Sequence, residues 1–215
     1  FVDLKEPKFR AKQLLKWIHH KGVLDFNEMT DFNKDLRRKL SSVAFIEPPK
    51  VHQVHSSDEG TIKYVIELNS GSMVEMVIIP EKNRRTLCVS SQAGCALQCT
   101  FCATGAQGFD QNLESHEIIG QLWIANFNQN NTKPITNVVF MGMGEPLLNY
   151  DSVIESAKIM KDQLSYGLSR KRITISTSGI VPNINKLSKE IDVSLAISLH
   201  AAEDNLRNEI VPINK

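Results

Sequence analysis

Three cysteines share one glycine-flanked loop, and their types and spacing suit iron–sulfur chemistry. Cys95, Cys99 and Cys102 lie in GCALQCTFCATG with the pattern C-x3-C-x2-C, between Gly94 and Gly105. Three thiolates this close together can hold three corners of a cubane cluster, whereas a [4Fe–4S] cluster normally takes four cysteine ligands. Three ligands leave one iron open to a small molecule, and open coordination is typical of catalytic metal sites. The loop therefore predicts a catalytic [4Fe–4S] cluster.

The alternatives for these cysteines are a zinc site, a disulfide framework and buried thiols. Zinc sites favour paired C-x2-C knuckles with a second ligand pair at a distance, but only Cys99 and Cys102 form such a pair, and His116 has no partner at ligand spacing. Four cysteines in 215 residues are sparse for a disulfide framework. Neither a secretory segment nor a stretch of about 20 apolar residues is evident. We expect a cytoplasmic protein without a membrane span.

The overall composition is that of a globular protein, with 41% apolar residues, 23% charged residues and a net charge of +1. The charge is unevenly placed. Residues 1–50 hold 11 Lys and Arg against 7 Asp and Glu, a local charge of +4, which leaves −3 for the remainder. A basic segment is compatible with nucleic acid, although the solvated face of a small helical domain explains the same charge.

The first 84 residues are predicted to form two small units. Apolar residues at helical spacing predict a first helix that ends at Gly22, and a second helix is predicted over residues 33–40. The pair Pro48-Pro49 ends this helical domain, which we assign to residues 1–50. Residues 51–84 are predicted to contain an antiparallel strand pair, over residues 62–68 and 73–79, and a linker.

From residue 85 onward the sequence alternates strand, loop and helix. Strands are predicted over residues 85–91, 135–143, 172–178 and 193–199, with helices near 115–127, after a cap at Asp151, after Pro182 and near 203–210. Such repeats predict parallel strands with right-handed crossovers. A closed (β/α)8 barrel takes about 250 residues. We therefore expect an α/β fold in which residues 85–215 are a partial barrel with an exposed edge, in a truncated polypeptide.

Polar motifs follow all four predicted strands. The cysteine loop follows the first strand, GMGEP (142–146) the second, STSG (176–179) the third and SLH (198–200) the fourth. Ligands of parallel α/β folds bind beyond the carboxyl ends of the strands. Each short motif alone is more often an ordinary turn, but four that meet at one rim predict a site.

This combination resembles the radical S-adenosylmethionine superfamily, and most closely its RNA methyltransferases that modify adenine at C2 in ribosomal and transfer RNA. The resemblance rests on RTLCVSSQAGCALQCTFCATG, VVFMGMGEPLLN, ITISTSG and SLAISLHA, and extends to EPKFRAKQLLKWIHHKG at the start. It implies a radical SAM (β/α) barrel with a [4Fe–4S] cluster and S-adenosylmethionine as cofactors. It also implies ribosomal RNA and transfer RNA as partners, RNA recognition by residues 1–50, and an electron donor such as flavodoxin or ferredoxin.

The resemblance further implies which residues hold the cofactors. The implied cluster ligands are Cys95, Cys99 and Cys102, and the implied S-adenosylmethionine-binding residues are Phe101, Gly144, Glu145, Ser176, Ser198, Leu199 and His200. By this resemblance, Phe101 packs beside the adenine of the cofactor, while Gly144 and Glu145 hold its methionine amino group.

The residues and the resemblance lead to different interpretations of two further positions, Glu75 and Cys88. Strand alternation places Glu75 opposite Val74 and Met76, which favours the solvent side, and Cys88 within a strand is typical of a buried core thiol. The resemblance implies instead that Glu75 is a catalytic proton acceptor. It implies that Cys88 resolves a covalent enzyme–RNA adduct by forming a disulfide with a second, methyl-carrying cysteine.

Carbon 2 of adenine carries no nucleophilic lone pair, which excludes ordinary polar methyl transfer. In the family that the sequence resembles, a cysteine is methylated first, a 5′-deoxyadenosyl radical removes hydrogen from that methyl, and the carbon radical adds to the ring. The chain has no cysteine besides the four named, so we expect it to bind cofactors without completing transfer. The alternatives are C8 methylation of adenine in ribosomal RNA by resistance-type enzymes, a non-catalytic RNA-binding module with a structural metal, and a radical enzyme acting on a small metabolite.

Overall fold

The structure is a computed structural model that describes residues 1–128 and 133–214. Positions 129–132 and 215, which fall within the predicted barrel range 85–215, lie outside the described residues. At the start of the chain, helix α1 (Phe9–Leu15) continues as a π-helical turn (Lys16–His20), and a 3-10 turn (Phe26–Glu28) precedes helix α2 (Lys34–Val43). These elements share a small apolar core built from Trp17, Phe26, Met29, Phe32, Leu36 and Leu40.

Nine strands follow in the described part of the chain. They are β1 (Lys50–Ser56), β2 (Ile62–Glu67), β3 (Met73–Pro80), β4 (Arg85–Cys88), β5 (Gln92–Gly94), β6 (Phe109–Asn112), β7 (Asn137–Phe140), β8 (Ile173–Thr177) and β9 (Ser194–Ile197). Seven of them form one sheet in the order β1-β2-β3-β4-β7-β8-β9. The pairs from β1 to β4 are antiparallel and those from β4 to β9 are parallel. Strands β5 and β6 form a separate antiparallel pair.

Five further helices accompany the parallel strands in the described part of the chain, and the longer ones pack on one face of the sheet. They are α3 (Ala103–Ala106), α4 (Ser115–Phe127), α5 (Tyr150–Lys161), α6 (Val181–Glu190) and α7 (Asp204–Ile210), with 3-10 turns at Pro146–Leu148, Arg170–Arg172 and Pro212–Asn214. Helix α4 begins with a capping box between Glu114 and Glu117. Among the described residues, every helix is too short or too polar to cross a bilayer. The α/β architecture with consecutive parallel strands confirms the predicted fold class.

The antiparallel region and the cysteine loop contain strands that the sequence did not predict. Strand β1 precedes the two expected strands, and β3 pairs with β4, so the antiparallel strands extend the parallel sheet. Strand β1 has no clear apolar alternation because it is mostly exposed and carries a bulge between Val51 and Gln53. The predicted cap at Asp151 is wrong: Asn149 precedes α5, and Asp151 lies in its first turn.

The register gives the large sheet one buried face and one open face. Val77 pairs with Cys88, Cys88 with Val139, and Val139 with Thr174, so these side chains share a face. Their neighbours along the strands point the other way, since successive strand residues alternate. That other face is at most 1% exposed and packs against the helices; it comprises Val74, Met76, Ile78, Leu87, Val138, Phe140, Ile173 and Ile175. The open face corresponds to the interior of the partial barrel.

Candidate active site

A cavity of about 380 Å³ lies at the carboxyl ends of β7, β8 and β9. Gly144 and Glu145 contribute from the loop after β7, Ser176 and Ser178 from the end of β8, and Ser198 from the end of β9. The Ser176 and Ser198 hydroxyls are 3.3 Å apart and form a hydrogen bond. The structure therefore brings together the motifs that follow three of the four predicted strands.

Glu145 is the buried carboxylate of this cavity, with 3% of its surface exposed. One oxygen, Oε1, accepts the backbone N–H of Leu147 at 3.0 Å, which caps the 3-10 turn Pro146–Leu148. The other oxygen, Oε2, accepts the backbone N–H of Ser178 at 2.8 Å, which joins the loop after β7 to the loop after β8. Each carboxylate oxygen can accept a further hydrogen bond, so Glu145 has capacity left for a cationic ligand group.

Gly144, which lines the cavity, fits closely against the side chain of Gln92. Gly144 has φ +95°, and a Cβ at this position would lie 2.5 Å from the Cβ of Gln92. The side chain of Gln92 accepts the N–H of Glu145 at 2.9 Å and donates to Asn112 at 2.8 Å. A glycine is therefore required where the GMGEP loop passes the β5–β6 pair.

The cysteine loop lies beside these strand ends and is held compactly. Its entry and exit are joined by β5 and β6, and the N–H of Cys95 donates to the carbonyl of Gly108 at 2.9 Å. Cys95 and Cys99 are buried in one cluster with Leu97 and Val211, and Cys102 packs against it. The Cys102 sulfur accepts the N–H of Gly105 at 3.4 Å and caps the start of α3.

The three thiols of the loop are the type of donor set that an iron–sulfur cluster takes. Burial raises the pKa of Cys95 and of Cys99, and the neighbouring thiols raise it further. Neutral thiols pack as small apolar groups. Accordingly, within residues 1–128 and 133–214 no three His, Cys, Asp or Glu side chains stand in ligating positions for a metal ion. Cluster ligation by Cys95, Cys99 and Cys102 stays a prediction.

Three of the predicted cofactor-binding residues lie at the rim between the cysteine loop and β9 and not in the cavity wall: Phe101, Leu199 and His200. The rings of Phe101 and His200 are in contact, with centroids 4.4 Å apart and planes inclined at 48°. Phe101 and Leu199 are more than half exposed. His200 has φ +60°, which lets the chain turn sharply after β9. This aromatic contact connects the cysteine loop to the strand-end motif SLH.

Glu75 projects from the open face of the sheet, two residues before the partner of Cys88. Its carboxylate lies 2.9 Å from the ammonium of Lys63, and the two side chains are 47% and 43% exposed. Its backbone is fixed to the site, because the N–H of Glu75 donates to the sulfur of Met143 at 3.4 Å and its carbonyl accepts the Ser90 hydroxyl at 2.5 Å. The open face adjoins the cavity, so Glu75 lies beside the site and not on the protein's helix-covered side.

Cys88 is half-buried at the end of β4 on the same open face. Burial raises the pKa of its thiol to about 11, although a hydrogen bond with the Met141 backbone opposes the shift. All four cysteines, each among the described residues, are free thiols. No disulfide forms at Cys88 in this structure, since Cys88 lies in a strand apart from the buried cysteine cluster of the loop. Its role with a second, methyl-carrying cysteine, which these 215 residues do not contain, stays a prediction.

Several polar residues that position the site escaped sequence analysis. Asn149 donates to the carbonyls of Ser91 and Leu113 at 2.8 and 2.6 Å, and Gln121 bonds both the N–H and the carbonyl of Ser90 at 2.9 Å. Arg207 binds strand-end carbonyls after β8 and β9. A buried amide and a surface amide look alike in a sequence, so only the positions of Gln92 and Asn149 beside recognised motifs could have suggested these roles.

Comparison with known protein families agrees with this geometry. The sequence model of the radical SAM superfamily matches residues 89–214, which contain the cysteine loop and the cavity. The chain belongs to the radical SAM superfamily. A second family model, described as the ribosomal RNA large subunit methyltransferase N-terminal domain, matches residues 1–46. The superfamily inferred from the cysteine loop and the strand-end motifs is confirmed.

Individual relatives extend this superfamily assignment. The chain is 58% identical over 220 residues to a protein of Pseudomonas putida named dual-specificity RNA methyltransferase RlmN, and 55% identical over 223 residues to the protein of that name from Alcanivorax borkumensis. Both matches cover 100% of this chain and 58% of the relative, so the chain spans somewhat more than half of their length. A radical SAM methyltransferase from Sphaerobacter thermophilus superimposes with a TM-score of 0.90 at 36% identity, over 99% of this chain and 63% of that one.

Proposed function

We propose that the whole protein is a radical SAM methyltransferase that methylates C2 of an adenine in ribosomal RNA and transfer RNA, and that these 215 residues supply its cofactor site. The observation that carries this proposal is the shared open face. Glu75, Cys88 and Ser176 project from it, and Ser176 also lines the cavity beside the cysteine loop. The names of the relatives, which describe dual-specificity RNA methyltransferases, support the same substrate class.

In this proposal the chain's own residues bind and orient the cofactors. Cys95, Cys99 and Cys102 hold the [4Fe–4S] cluster through their sulfurs. Glu145 and the backbone at Gly144 bind the methionine ammonium, because the buried carboxylate retains acceptor capacity after its two backbone hydrogen bonds. With the cluster bound and reduced by one electron from an external donor, one S-adenosylmethionine would supply the methyl group and a second would supply the 5′-deoxyadenosyl radical.

The remaining predicted residues complete the pocket and handle protons. The hydroxyls of Ser176 and Ser198 offer paired donors and acceptors at the cavity wall. The ring of Phe101, held against His200, provides an apolar face beside which an adenine can pack. Glu75 presents a carboxylate oxygen to the open face and accepts the proton from the adenine carbon, while Cys88 holds its proton at Sγ until the adduct is resolved.

The cofactor part of the proposal is tested on the chain itself. After anaerobic loading and reduction, we expect it to convert S-adenosylmethionine to 5′-deoxyadenosine without RNA, measured by mass spectrometry. Glu145→Gln should lower this rate by at least about tenfold, since the buried carboxylate is a charged hydrogen-bond acceptor. Glu155→Gln, the same change at an exposed position of α5, should leave it unchanged. Failure of the unaltered chain to form 5′-deoxyadenosine contradicts the proposal.

The substrate part is tested by the position of the methyl group. Nucleosides from ribosomal and transfer RNA treated with the whole protein should contain 2-methyladenosine. Finding 8-methyladenosine instead would assign the resistance-type reaction, and finding neither would leave only RNA binding. Binding of RNA by the whole protein should weaken steeply as the salt concentration rises, because contacts to phosphates release counterions.

A further inference from the structure

Arg207 connects the end of the described chain to both loops that form the cavity wall. It lies in the last turn of α7, and its Nη2 donates to the carbonyl of Ser178 at 2.5 Å and to that of Ser198 at 3.5 Å. Its Nε donates to the carbonyl of Leu199 at 3.0 Å. These carbonyls follow the last residues of β8 and β9, where the chain leaves the sheet ladder and its carbonyls need other donors. One planar guanidinium thus binds two strand ends at once.

The peptide at Ser178 is held from two sides. Its N–H donates to Glu145 at 2.8 Å and its carbonyl accepts from Arg207 at 2.5 Å. Ser178 and Ser198 both line the cavity. A continuous set of hydrogen bonds therefore runs from the buried carboxylate of Glu145 to α7, and hydrogen bonds to charged groups are the stronger kind.

The same short helix also contacts the cysteine loop. The N–H of Thr100 donates to the carbonyl of Ile210 at 3.2 Å, and Val211 is fully buried with Cys95 and Cys99. Those contacts use backbone atoms and an apolar side chain, whereas the contacts to β8 and β9 use the guanidinium. A substitution at Arg207 can therefore remove the contacts to β8 and β9 and leave the contacts to the cysteine loop in place.

We propose that Arg207 is a positioning residue for the cofactor cavity: it fixes the backbones of Ser178 and Ser198-Leu199 in the conformation that the bound cofactor requires, without touching the cofactor. The inference rests on the proposed function, in that the cavity is the S-adenosylmethionine site. The proposal also assigns a role to α7, a helix that lies outside the strand-end motifs.

Two variants and a matched control test this role. Arg207→Gln removes the charge and the planar fork, and Arg207→Lys keeps the charge but offers a single ammonium. Arg170→Gln makes the same change in the exposed turn before β8, where Arg170 lies 3.5 Å from Asp192. In the anaerobically loaded chain, Arg207→Gln should bind S-adenosylmethionine at least about tenfold more weakly with unchanged iron content, Arg207→Lys should be intermediate, and the control should match the unaltered chain.

Hydrogen exchange gives a readout that needs no cofactor. Peptides covering residues 176–180 and 198–201 should lose protection in Arg207→Gln and regain part of it in Arg207→Lys. Unchanged protection, or an affinity within about twofold of the unaltered chain, overturns the inference. If the unaltered chain binds no S-adenosylmethionine while protection still falls, the proposed function fails and the positioning of the loops stands. Should Arg207→Gln not fold, Arg207→Lys decides by the same two readouts.

Discussion

Glu75 and Cys88 lie on adjacent antiparallel strands and project from the same face of the sheet. Cys88 pairs with Val77, and Glu75 is two residues from Val77 along β3, so the two are diagonal neighbours. Diagonal neighbours in an antiparallel pair are about 7–8 Å apart, a separation that an aromatic base can bridge. The relationship follows from strand register alone, and it brings a carboxylate and a thiol to one surface beside the cavity.

The reactivity of Cys88 should follow its raised pKa. Burial raises the pKa of this thiol to about 11, so it is neutral at pH 7 and its thiolate fraction grows as the pH approaches 11. Alkylation by iodoacetamide should therefore be slower in the native chain than in urea at pH 8, and should keep increasing up to about pH 11. Mass spectrometry of the peptide containing Cys88 measures both rates.

The same shift affects stability at high pH. Because the pKa of Cys88 is raised in the folded chain, the neutral thiol contributes its full stabilisation at pH values below the ordinary pKa of a thiol. This stabilisation is lost as the pH rises through about 11. An alkylation rate that levels off near pH 9 in the native chain would contradict the burial of Cys88.

Gly94 should be indispensable for closing the cysteine loop. A Cβ at Gly94 would lie 1.9 Å from the carbonyl oxygen of Gly108, and the φ of +72° is itself unfavourable for other residues. Gly94→Ala should therefore separate β5 from β6, lower the melting temperature and reduce iron incorporation. Gly71→Ala is the matched control, because Gly71 also has a positive φ, +88°, but its Cβ would meet nothing within 4 Å. Its cost should be about 1 kcal/mol, from backbone strain alone. Equal losses in the two variants would argue against the close approach at Gly94.

Gln92 should contribute stability through the groups that it satisfies. Gln92→Met keeps the size of the side chain but leaves the N–H of Glu145 and the amide of Asn112 without this partner. We expect a loss of about 1–3 kcal/mol in the free energy of unfolding for a buried polar group left unpaired. Gln107→Met, at an exposed position between β5 and β6, should change the free energy of unfolding little. Urea denaturation measures the free energy of unfolding of both variants. A loss of stability in Gln107→Met but not in Gln92→Met would contradict this prediction.

His19 should make the contact between the N-terminal helices and the barrel sensitive to acid. Burial lowers the pKa of His19 to about 4, and its Nδ1 lies 3.1 Å from the Tyr166 hydroxyl. Since the folded pKa is depressed, the contribution of the neutral imidazole is present above the ordinary value of 6.5 and is lost as the pH falls through about 4. Between pH 7 and pH 5 the chain should lose about 1 kcal/mol or more of stability for this reason.

Two aromatic substitutions isolate the contribution of His19. His19→Phe keeps a ring against Tyr166 but cannot be protonated, so its stability should depend less on pH in this range. His116→Phe removes a histidine whose side chain is 56% exposed, and should retain the pH dependence of the unaltered chain. Identical pH dependence in His19→Phe and the unaltered chain would show that His19 is not the responsible group.

The motifs of the site were accessible from the sequence because their residues follow apolar strands directly. The glycine-flanked cysteines, Glu145 and Ser176 could be placed at one rim, since the carboxyl ends of parallel strands meet there. Strand β1 could not be predicted, because an exposed edge strand with a bulge carries no alternating pattern. Arg207 could not be recognised either, because its partners are backbone carbonyls, which leave no trace in the residue types. The solvent-side preference for Glu75 followed from alternation alone, which cannot distinguish solvent from the open interior of a partial barrel.

The central claim, a three-cysteine cluster with one iron open to S-adenosylmethionine, is tested most directly by electron paramagnetic resonance of the anaerobically loaded and reduced chain. We expect about four iron and four sulfide per chain and a cluster signal that changes when S-adenosylmethionine is added, with both lost in Cys99→Ala. Stoichiometric zinc without iron or sulfide, or a cluster signal that S-adenosylmethionine leaves unchanged, would contradict the account.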